Sequence, residues 1–283
     1  MILVTSAYGK VGRITIEKLL ENNIEVCALD ITPETENLKK FGVKDVIVGD
    51  MSDINICRKA VEKCDKIYFI PPLENEPTLC INMINATKSI GNSQFVYHSV
   101  LHTQKSSLIH HKAKGLAEEY LIDSDMNFTI LNPTCYMFDI NLPYLVEKKE
   151  WPCFWPNKTS YVDPDDVAEV ALQVLTEDNH WHASYELVGS EVLNADEVMS
   201  IFKDVTGIIA DIKYISPEEY FALSNKKISD YTEKAIRHLH AAYSQLGSKG
   251  NPNILTWLLN RKPTTMAEYI SREYVKLQKT DEI

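Results

Sequence analysis

The stretch Ile2–Gly12, I-L-V-T-S-A-Y-G-K-V-G, decides the fold. The apolar run Ile2–Thr5 predicts a buried strand, and the apolar spacing of Lys10–Asn22 predicts a helix. Gly9 falls in the turn between them, and Gly12 falls in the first turn of the helix. Gly9 allows the backbone to approach a phosphate, and Gly12 allows close packing of helix on strand. The pattern therefore predicts a dinucleotide site at the helix N-terminus. A plain strand–turn–helix with incidental glycines is the alternative.

Outward from this stretch, short apolar runs alternate with helical periodicity. The further predicted strands are Glu25–Asp30, Asp45–Val48, Lys66–Ile70, Gln94–Val100 and Asn127–Leu131, and the helices among them are Glu34–Phe41, Asp53–Lys63, Pro77–Ile90 and Lys105–Ser124. This alternation predicts an α/β fold with a doubly wound, Rossmann-like parallel sheet. In such a sheet, ligands bind at the carboxyl ends of the strands.

The rhythm changes after Pro133. Six further helices are predicted at Asp163–Thr176, Asn194–Thr206, Pro217–Leu223, Ser229–Leu246, Asn253–Leu259 and Thr265–Leu277, with one strand at Ser184–Val188. We therefore predict a dinucleotide-binding Rossmann domain over residues 1–134 and a smaller, mostly helical lobe for substrate or partner over 135–283. A segment of about 161–190 is expected to return to the sheet.

Composition excludes several classes of protein. The 283 residues are 45% hydrophobic, which excludes a mainly disordered chain. No apolar run approaches the roughly 18 residues of a membrane span. The net charge of −11 disfavours nucleic acid as a ligand. The six cysteines are scattered without a C-x-x-C pair, and the strand-like N-terminus lacks a basic signal-peptide region. We therefore expect a reduced, cytoplasmic protein, with a homodimer left open.

Two further turns are candidates for cofactor contacts. Asp30 ends the second predicted strand, where an acid accepts hydrogen bonds from the adenosine ribose; a turn or capping aspartate is the alternative. Asp50 and Met51 follow the third strand and are expected to border the adenine, with a solvated turn as the alternative. Asp30 would repel a 2′-phosphate, and no Lys or Arg follows it until Lys39. NAD is therefore favoured over NADP.

Six stretches together resemble the NmrA-like family, an atypical branch of the short-chain dehydrogenase/reductases. They are I-L-V-T-S-A-Y-G-K-V-G-R at the start, V-I-V-G-D (Val46–Asp50), H-K-A-K-G-L-A-E-E-Y-L (His111–Leu121), F-T-I-L-N-P-T (Phe128–Thr134), Y-V-D-P-D-D-V-A-E-V (Tyr161–Val170) and W-L-L-N-R-K-P (Trp257–Pro263). The resemblance implies a Rossmann-type sheet that binds NAD(P) and a small C-terminal lobe over a cleft. It also implies either an NAD(P)H-dependent reductase, some of which act on quinones, or a redox-sensing regulator.

The chain departs from the family pattern at two turns. Ser6 replaces the first glycine of G-x-x-G-x-x-G, so either the turn is strained or Ser6 makes a local hydrogen bond. Ile31 stands where many relatives carry a basic residue for the 2′-phosphate, which again favours NAD. The predicted cofactor-binding set is Thr5, Ser6, Tyr8, Gly9, Lys10, Val11, Gly12, Asp30, Asp50, Met51, Pro71, Lys114 and Pro133.

The resemblance also implies catalytic candidates. In the wider superfamily a tyrosine donates a proton, and a lysine four residues later holds the nicotinamide ribose. Here Lys114 takes the lysine position and His110 the tyrosine position, on one helical face. A histidine titrates near neutral pH and is a candidate general acid, with His111 close behind. Solvated residues at a helix start are the alternative for both histidines.

Other candidates are weaker. Ser99 ends the fifth predicted strand and is a candidate partner of a substrate carbonyl, or simply a strand-end serine. A literal Y-x-x-x-K occurs at Tyr144 and Lys148, in the wrong place for the family pattern. Four aromatic residues either line an apolar pocket or cover the core: Tyr136, Trp151, Phe154 and Trp155. The pairs His180/His182 and His238/His240 lack neighbouring ligands, so no metal site is predicted and they are taken as surface residues.

These observations favour an NAD(P)H-dependent oxidoreductase acting on a quinone-like or other small carbonyl acceptor. Quinone-like acceptors need little acid catalysis from the protein, so the incomplete Tyr-x-x-x-Lys pair does not exclude turnover. The alternative is a non-catalytic NAD(P)-binding redox sensor that binds a protein partner. A sugar-nucleotide epimerase is disfavoured, because such enzymes usually keep Tyr-x-x-x-Lys.

Overall fold

The computed structural model describes residues 1–91, 94–105, 107–224 and 228–281. Its strands are β1 (Ile2–Thr5), β2 (Val26–Asp30), β3 (Asp45–Val48), β4 (Lys66–Phe69), β5 (Gln94–His98), β6 (Asn127–Pro133), β7 (Cys135–Tyr136), β8 (Glu150–Cys153), β9 (Thr159–Val162), β10 (Ala183–Leu187), β11 (Val192–Leu193) and β12 (Asp211–Tyr214).

The α-helices are α1 (Lys10–Glu21), α2 (Ile54–Val61), α3 (Glu76–Lys88), α4 (Ile109–Ile122), α5 (Leu142–Lys148), α6 (Pro164–Thr176), α7 (Ala195–Thr206), α8 (Pro217–Ser224), α9 (Asp230–Leu246), α10 (Asn253–Leu259) and α11 (Met266–Asp281). Two 3-10 helices lie at Pro33–Phe41 and Met137–Ile140. No helix within the described ranges is long and apolar enough to cross a membrane.

Seven strands form one sheet in the order β10-β6-β5-β4-β1-β2-β3. Strands β1 to β6 pair in parallel, with Ile2 beside Val26 on one side and Lys66 on the other. The strands β1 and β5 are buried throughout, because helices cover both faces of such a sheet. The predicted doubly wound, Rossmann-like sheet is confirmed. Because strands β1 to β6 are parallel, the loops that follow them begin at the same edge of the sheet.

Several predicted boundaries shift in the sheet-forming part. The helix predicted over Glu34–Phe41 is a 3-10 helix that ends at Gly42, whose φ is 102°. The helix predicted from Lys105 begins only at Ile109, and Ser106 lies outside the described residues. Strand β6 continues past its predicted end to Pro133, whose carbonyl accepts a hydrogen bond from Leu101 N at 2.9 Å. Proline is tolerated there because it stands at the end of a strand.

Contacts divide the chain into two compact units. Residues 1–106, 110–133 and 167–185 form the sheet unit, and residues 107–109, 134–166 and 186–283 form the second unit. The second unit is mostly helical but also holds the small sheets β11-β9-β7 and β12-β8. Sequence reading missed these strands, because β7 and β11 have two residues each and β8, β9 and β12 carry polar residues or a proline instead of an apolar run. The predicted division of roles between the two parts stays a prediction.

The second unit contains a set of buried acidic residues that we call the Asp163–Asp166 cluster. Asp163 is fully buried and accepts hydrogen bonds from Arg272 at 2.7 and 3.0 Å and from Asp165 N at 3.0 Å. Asp166 accepts from Arg261 at 2.8 Å and from Thr264 N and Oγ1 at 2.7 and 2.9 Å. Every carboxylate oxygen of these two residues therefore has a protein partner, as buried charge requires.

Candidate functional site

The first turn, between β1 and α1, is held to the end of β4. Ser6 has a φ of 45° and its hydroxyl donates to Ile70 O at 2.8 Å. Thr5 Oγ1 donates to the same carbonyl at 2.9 Å and accepts from Ile70 N at 2.8 Å. The expected strain is present in the φ of Ser6. The expected local hydrogen bond is not the one observed, because the hydroxyl bonds to a residue 64 positions away along the chain.

Gly9, which precedes α1, and Gly12, in the first turn of α1, stand close to the backbone of Ser6 and Ala7. A Cβ on Gly12 would lie 2.4 Å from Ser6 O and 2.9 Å from Ala7 Cα, so only glycine fits there. A Cβ on Gly9 would lie 3.1 Å from Ser6 O. Gly9 precedes α1 without a side-chain cap, so the first N–H groups of this helix face the turn with a positive dipole end. This is a surface that an anionic group can approach.

Asp30 organises the same turn from the end of β2. Its carboxylate accepts from Tyr8 N at 2.9 Å, Ile31 N at 2.7 Å and Thr32 N at 3.4 Å. Asp30 therefore acts as a turn aspartate, which was the alternative to a ribose ligand. The two roles are compatible, because a carboxylate has about four acceptor sites. The ribose contact stays a prediction.

The remaining predicted cofactor residues lie in different surroundings. Asp50 is exposed and accepts from Ser52 N at 2.8 Å, as a solvated turn would, whereas Met51 is 7% exposed and packed in the core. Lys10 and Val11 begin α1, Pro71 is half-buried after β4, and Pro133 is buried at the end of β6. Their contacts with a cofactor stay predictions.

Lys114 lies in a buried ionic group that we call the Glu76 cluster, formed by Glu76, Tyr97 and Lys114. Lys114 Nζ is 2.8 Å from Glu76 Oε1 and donates to His98 O at 3.3 Å. Tyr97 Oη donates to the same Oε1, and Lys114 Nζ lies 5.6 Å from the centre of the Tyr97 ring. Glu76 is 1% exposed. Helix α3, strand β5 and helix α4 thus bring three ionisable side chains together.

The two candidate histidines are buried rather than solvated, so that alternative is wrong. His110 is 8% exposed and His111 is 1% exposed. Burial lowers the pKa of His110 to about 3 and that of His111 to about 4, and the charge of Lys114 adds to both shifts. His111 Nδ1 donates to His102 O at 3.0 Å. Both rings are neutral at pH 7, and a general-acid role stays a prediction for a neutral imidazole.

Ser99 is 3% exposed and its hydroxyl donates to Glu118. Glu118 also accepts from Thr103 Oγ1 and Asn132 Nδ2, each at 2.8 Å. The hydroxyl therefore already has a partner at the strand end. Its contact with a substrate carbonyl stays a prediction.

Comparison with known proteins places this arrangement in a family. A model of the NmrA-like family matches residues 1–270. The chain belongs to the NmrA-like family. It is 23% identical to the NAD(P)H azoreductase of Xenophilus azovorans over 76% of this chain and 77% of that protein. It is also 23% identical to the photosystem II assembly factor Ycf39 of Synechocystis sp., over 96% of this chain and 90% of that one.

A solved structure of similar fold is the NADPH-dependent quinone oxidoreductase of Escherichia coli complexed with NADPH. The match has a TM-score of 0.80 at 23% identity and covers 97% of this chain and all of that one. At this identity the likeness establishes the fold. The fold predicted from the NmrA-like resemblance is thereby confirmed.

The second unit of this NmrA-like chain contains the remaining candidates. Tyr144 and Lys148 lie on α5, and the exposed Lys148 pairs with Glu147 at 2.6 Å. Trp151 and Phe154 are 6% and 7% exposed and cover the core. Phe154 packs on Tyr220, with ring centres 4.5 Å apart, and His240 lies 4.6 Å from it. No group of three or more possible metal ligands occurs among the described residues.

Sequence reasoning missed three side chains at the site. Arg13 places its guanidinium 5.4 Å from the centre of the Tyr8 ring, beside the turn that Asp30 holds. Glu76 and Tyr97 complete the cluster around Lys114. The available signal for Glu76 was an acid in the first turn of a helix, which is normally interpreted as a partner of the helix dipole.

Proposed function

We propose that this NmrA-like chain is an NAD(P)H-dependent oxidoreductase acting on a quinone-like or other small carbonyl acceptor. The observation that carries the proposal is the first turn, where Gly12 lies against Ser6 O and α1 begins without a side-chain cap. That turn offers backbone N–H groups to a pyrophosphate. The azoreductase and the quinone oxidoreductase named above give independent support, since each is named for reduction with a nicotinamide nucleotide.

The described residues fit a dinucleotide. We assign the phosphates to the turn at Gly9, where a Cβ would lie 3.1 Å from Ser6 O, and the ribose to Asp30, whose carboxylate bonds to Tyr8 N in the same turn. Lys114 Nζ carries three N–H groups and is 12% exposed at its side chain, so it is suited to hold a ribose hydroxyl. Bound NAD(P)H supplies the hydride. The chain supplies position and charge around it.

Proton supply to the reduced acceptor is assigned to the Lys114 side of the site. His110 and His111 are neutral at pH 7 because burial lowers the pKa of each. A neutral imidazole is a weak acid, whereas the Lys114 ammonium brings charge to an oxygen that becomes negative. A quinone-like acceptor suits this equipment, because its reduced form is a stabilised anion that needs little acid catalysis.

The choice between NADH and NADPH depends on two side chains of opposite charge beside Tyr8. Asp30 bonds to Tyr8 N, and Arg13 lies over the Tyr8 ring. Asp30 repels a 2′-phosphate and Ile31 offers it no charge, so NADH is the nucleotide that we propose as preferred. Arg13 is the side chain that would reverse this preference. Titration of the wild-type chain and of Arg13→Gln with both nucleotides tests it: NADH preference in both supports it, and NADPH preference overturns it.

The activity itself is tested by titrating the chain with NADH and NADPH and then adding a panel of quinones. Binding followed by oxidation of the nucleotide supports the reductase. Gly12→Val is the control, because its side chain would collide with Ser6 O and abolish binding. Absence of binding to the wild-type chain contradicts the proposal.

A second candidate function is a dinucleotide-binding sensor that acts on a protein partner. The observation that favours it is His110, to which the family resemblance gives the position of the superfamily tyrosine and which is neutral at pH 7 because burial lowers its pKa. The likeness to an assembly factor points the same way. Binding of the nucleotide without oxidation by any quinone would favour this sensor. It would also require different affinities for a partner in two states of the chain.

A further inference from the structure

Glu76 has more hydrogen-bonding capacity than the described protein uses. Its Oε1 is bonded to both Lys114 and Tyr97. Its Oε2 is buried and has no hydrogen-bond partner within the described part of the chain. A buried carboxylate oxygen without a hydrogen-bond partner is costly even when the other oxygen is paired. The side chain therefore needs an explanation beyond stability.

Lys114 shows the complementary feature. One N–H group of its ammonium points to Glu76 and another to His98 O. The third N–H has no acceptor among the residues that the structure describes. Two fixed bonds determine where this third N–H points, because the ammonium can no longer rotate freely about its stem. Lys114 thus presents one oriented donor.

The groups around Lys114 make Glu76 its counter-charge. From β5, burial raises the pKa of Tyr97 well above its ordinary value and lowers the pKa of His98 to about 3. From α3, burial raises the pKa of Cys80. From α4, His110 and His111 are neutral at pH 7. The other carboxylate in these surroundings is Glu118, which is bonded to Ser99, Thr103 and Asn132.

We propose that Glu76 is the positioning residue of Lys114, holding its ammonium charged and oriented so that the third N–H reaches the bound dinucleotide. Tyr97 fixes the carboxylate by donating to the same oxygen. The inference rests on the proposed function, because it needs a dinucleotide at the site. Removing the negative charge disfavours the ammonium form of a mostly buried amine, and the loss grows as pH rises.

The test compares Glu76→Gln with the matched control Glu118→Gln. Dissociation constants are measured by nucleotide fluorescence from pH 6 to pH 9, with the nucleotide that binds the wild-type chain more tightly. We expect Glu76→Gln to weaken binding about tenfold at pH 7 and progressively more toward pH 9. The wild type and Glu118→Gln are expected to have nearly flat profiles. Glu76→Asp, which restores the charge, is expected to recover the flat profile.

The outcomes separate this inference from the proposed function. A wild-type chain that binds no nucleotide overturns both. A wild-type chain that binds, with Glu76→Gln matching it at every pH, overturns the role of Glu76 alone. If Glu76→Gln does not fold, Tyr97→Phe takes its place, since it removes the hydroxyl and keeps the ion pair. Binding weakened about threefold by Tyr97→Phe supports the proposal, and unchanged binding overturns it.

Discussion

The Asp163–Asp166 cluster and the Glu76 cluster both contain buried carboxylates, and these carboxylates use their oxygens differently. In the Asp163–Asp166 cluster of the second unit, each oxygen accepts from Arg272, Arg261, Thr264 or Asp165. In the Glu76 cluster of the sheet unit, Oε2 of Glu76 lacks a partner among the described residues. Saturated bonding is what a structural ion pair needs. An unused hydrogen-bonding atom is what a ligand site needs. The difference in bonding therefore distinguishes a structural cluster from one that is suited to a ligand.

The largest effect is expected from lowering the pH, which acts on three buried histidines in the surroundings of the Glu76 cluster. The pKa values of His98, His110 and His111 are lowered by burial to about 3, 3 and 4. The unfolded chain therefore binds protons below about pH 6.5 that the folded chain does not bind, and stability falls with pH. Between pH 7 and pH 5.5 we expect a loss on the order of 4 kcal/mol in the free energy of unfolding.

Urea unfolding at the two pH values measures this loss. His110→Gln removes one of the three histidines and should leave about two thirds of the effect. Asp166 has the opposite sign, because burial raises its pKa and its protonation favours the folded state as pH falls. A free energy of unfolding that does not change between pH 7 and pH 5.5 would contradict the burial of the histidines.

The second prediction concerns a substitution in the Asp163–Asp166 cluster, in which each carboxylate oxygen of Asp163 and Asp166 has a protein partner. Asp163→Asn leaves Arg272, whose side chain is 31% exposed, without its main counter-charge. We expect the free energy of unfolding to fall by on the order of 3 kcal/mol. Nucleotide affinity should not change for the folded fraction, as measured by fluorescence titration. A specific loss of affinity with little loss of stability would reverse the distinction between the two clusters.

The third prediction concerns a substitution in the Glu76 cluster. Lys114→Met removes the ammonium and its oriented donor, so nucleotide binding should weaken by about 1.5–3 kcal/mol, or roughly 10- to 100-fold. Titration at pH 7 measures this change. Arg261→Met is the control, because Arg261 also pairs with a buried carboxylate, but this carboxylate belongs to the Asp163–Asp166 cluster. Equal affinity in Lys114→Met and the wild type would remove Lys114 from the site.

The fourth prediction concerns Asp30, whose carboxylate shares one property with each of the two clusters. It has a backbone partner, as Asp163 has in the Asp163–Asp166 cluster, yet it lies beside the turn between β1 and α1, where we propose that the nucleotide binds. Asp30→Ala should weaken NADH binding by about 1.5–3 kcal/mol. Asp53→Ala is the control, since Asp53 also accepts from a backbone N–H at 2.8 Å, at the start of α2. NADH affinity unchanged in Asp30→Ala would show that Asp30 acts only on the turn.

The smallest effect is expected at Ser6. Ser6→Gly relieves a φ of 45° but loses the hydrogen bond to Ile70 O. These two effects oppose each other, and each is about 1 kcal/mol in size. The free energy of unfolding should therefore change by less than about 1 kcal/mol. A large gain in nucleotide affinity would show that the serine weakens nucleotide binding at the turn between β1 and α1.

The fold could be predicted because its signal is local and repeated. The strand Asp45–Val48 and the helix Asn253–Leu259 have the predicted ends, and the capping box of Asn194 and Glu197 opens α7 as its spacing indicates. Buried strands and amphipathic helices leave periods in the sequence. Strand β7, with two residues, and strand β8, which contains Glu150 and Pro152, leave no such pattern.

The first turn of the site could be predicted for the same reason, and the Glu76 cluster could not. Its members are 17 or more positions apart along the chain and meet only because β4 and β5 are neighbours and the helices that follow them pack at one edge. No spacing rule connects Glu76 to Lys114. The burial of His110 and His111 was also invisible, because histidines near a helix start are usually solvated.

One carbonyl, that of Ile70, receives hydrogen bonds from both Thr5 and Ser6. Six residues later the chain reaches Glu76, through Pro71 and Pro72, whose rings stiffen the backbone. Asn75, immediately before Glu76, has a φ of 56°. Five residues, Pro71–Asn75, therefore separate the strand end that holds the turn after β1 from the buried carboxylate of Glu76. A change in the length of this segment is expected to disturb both places at once.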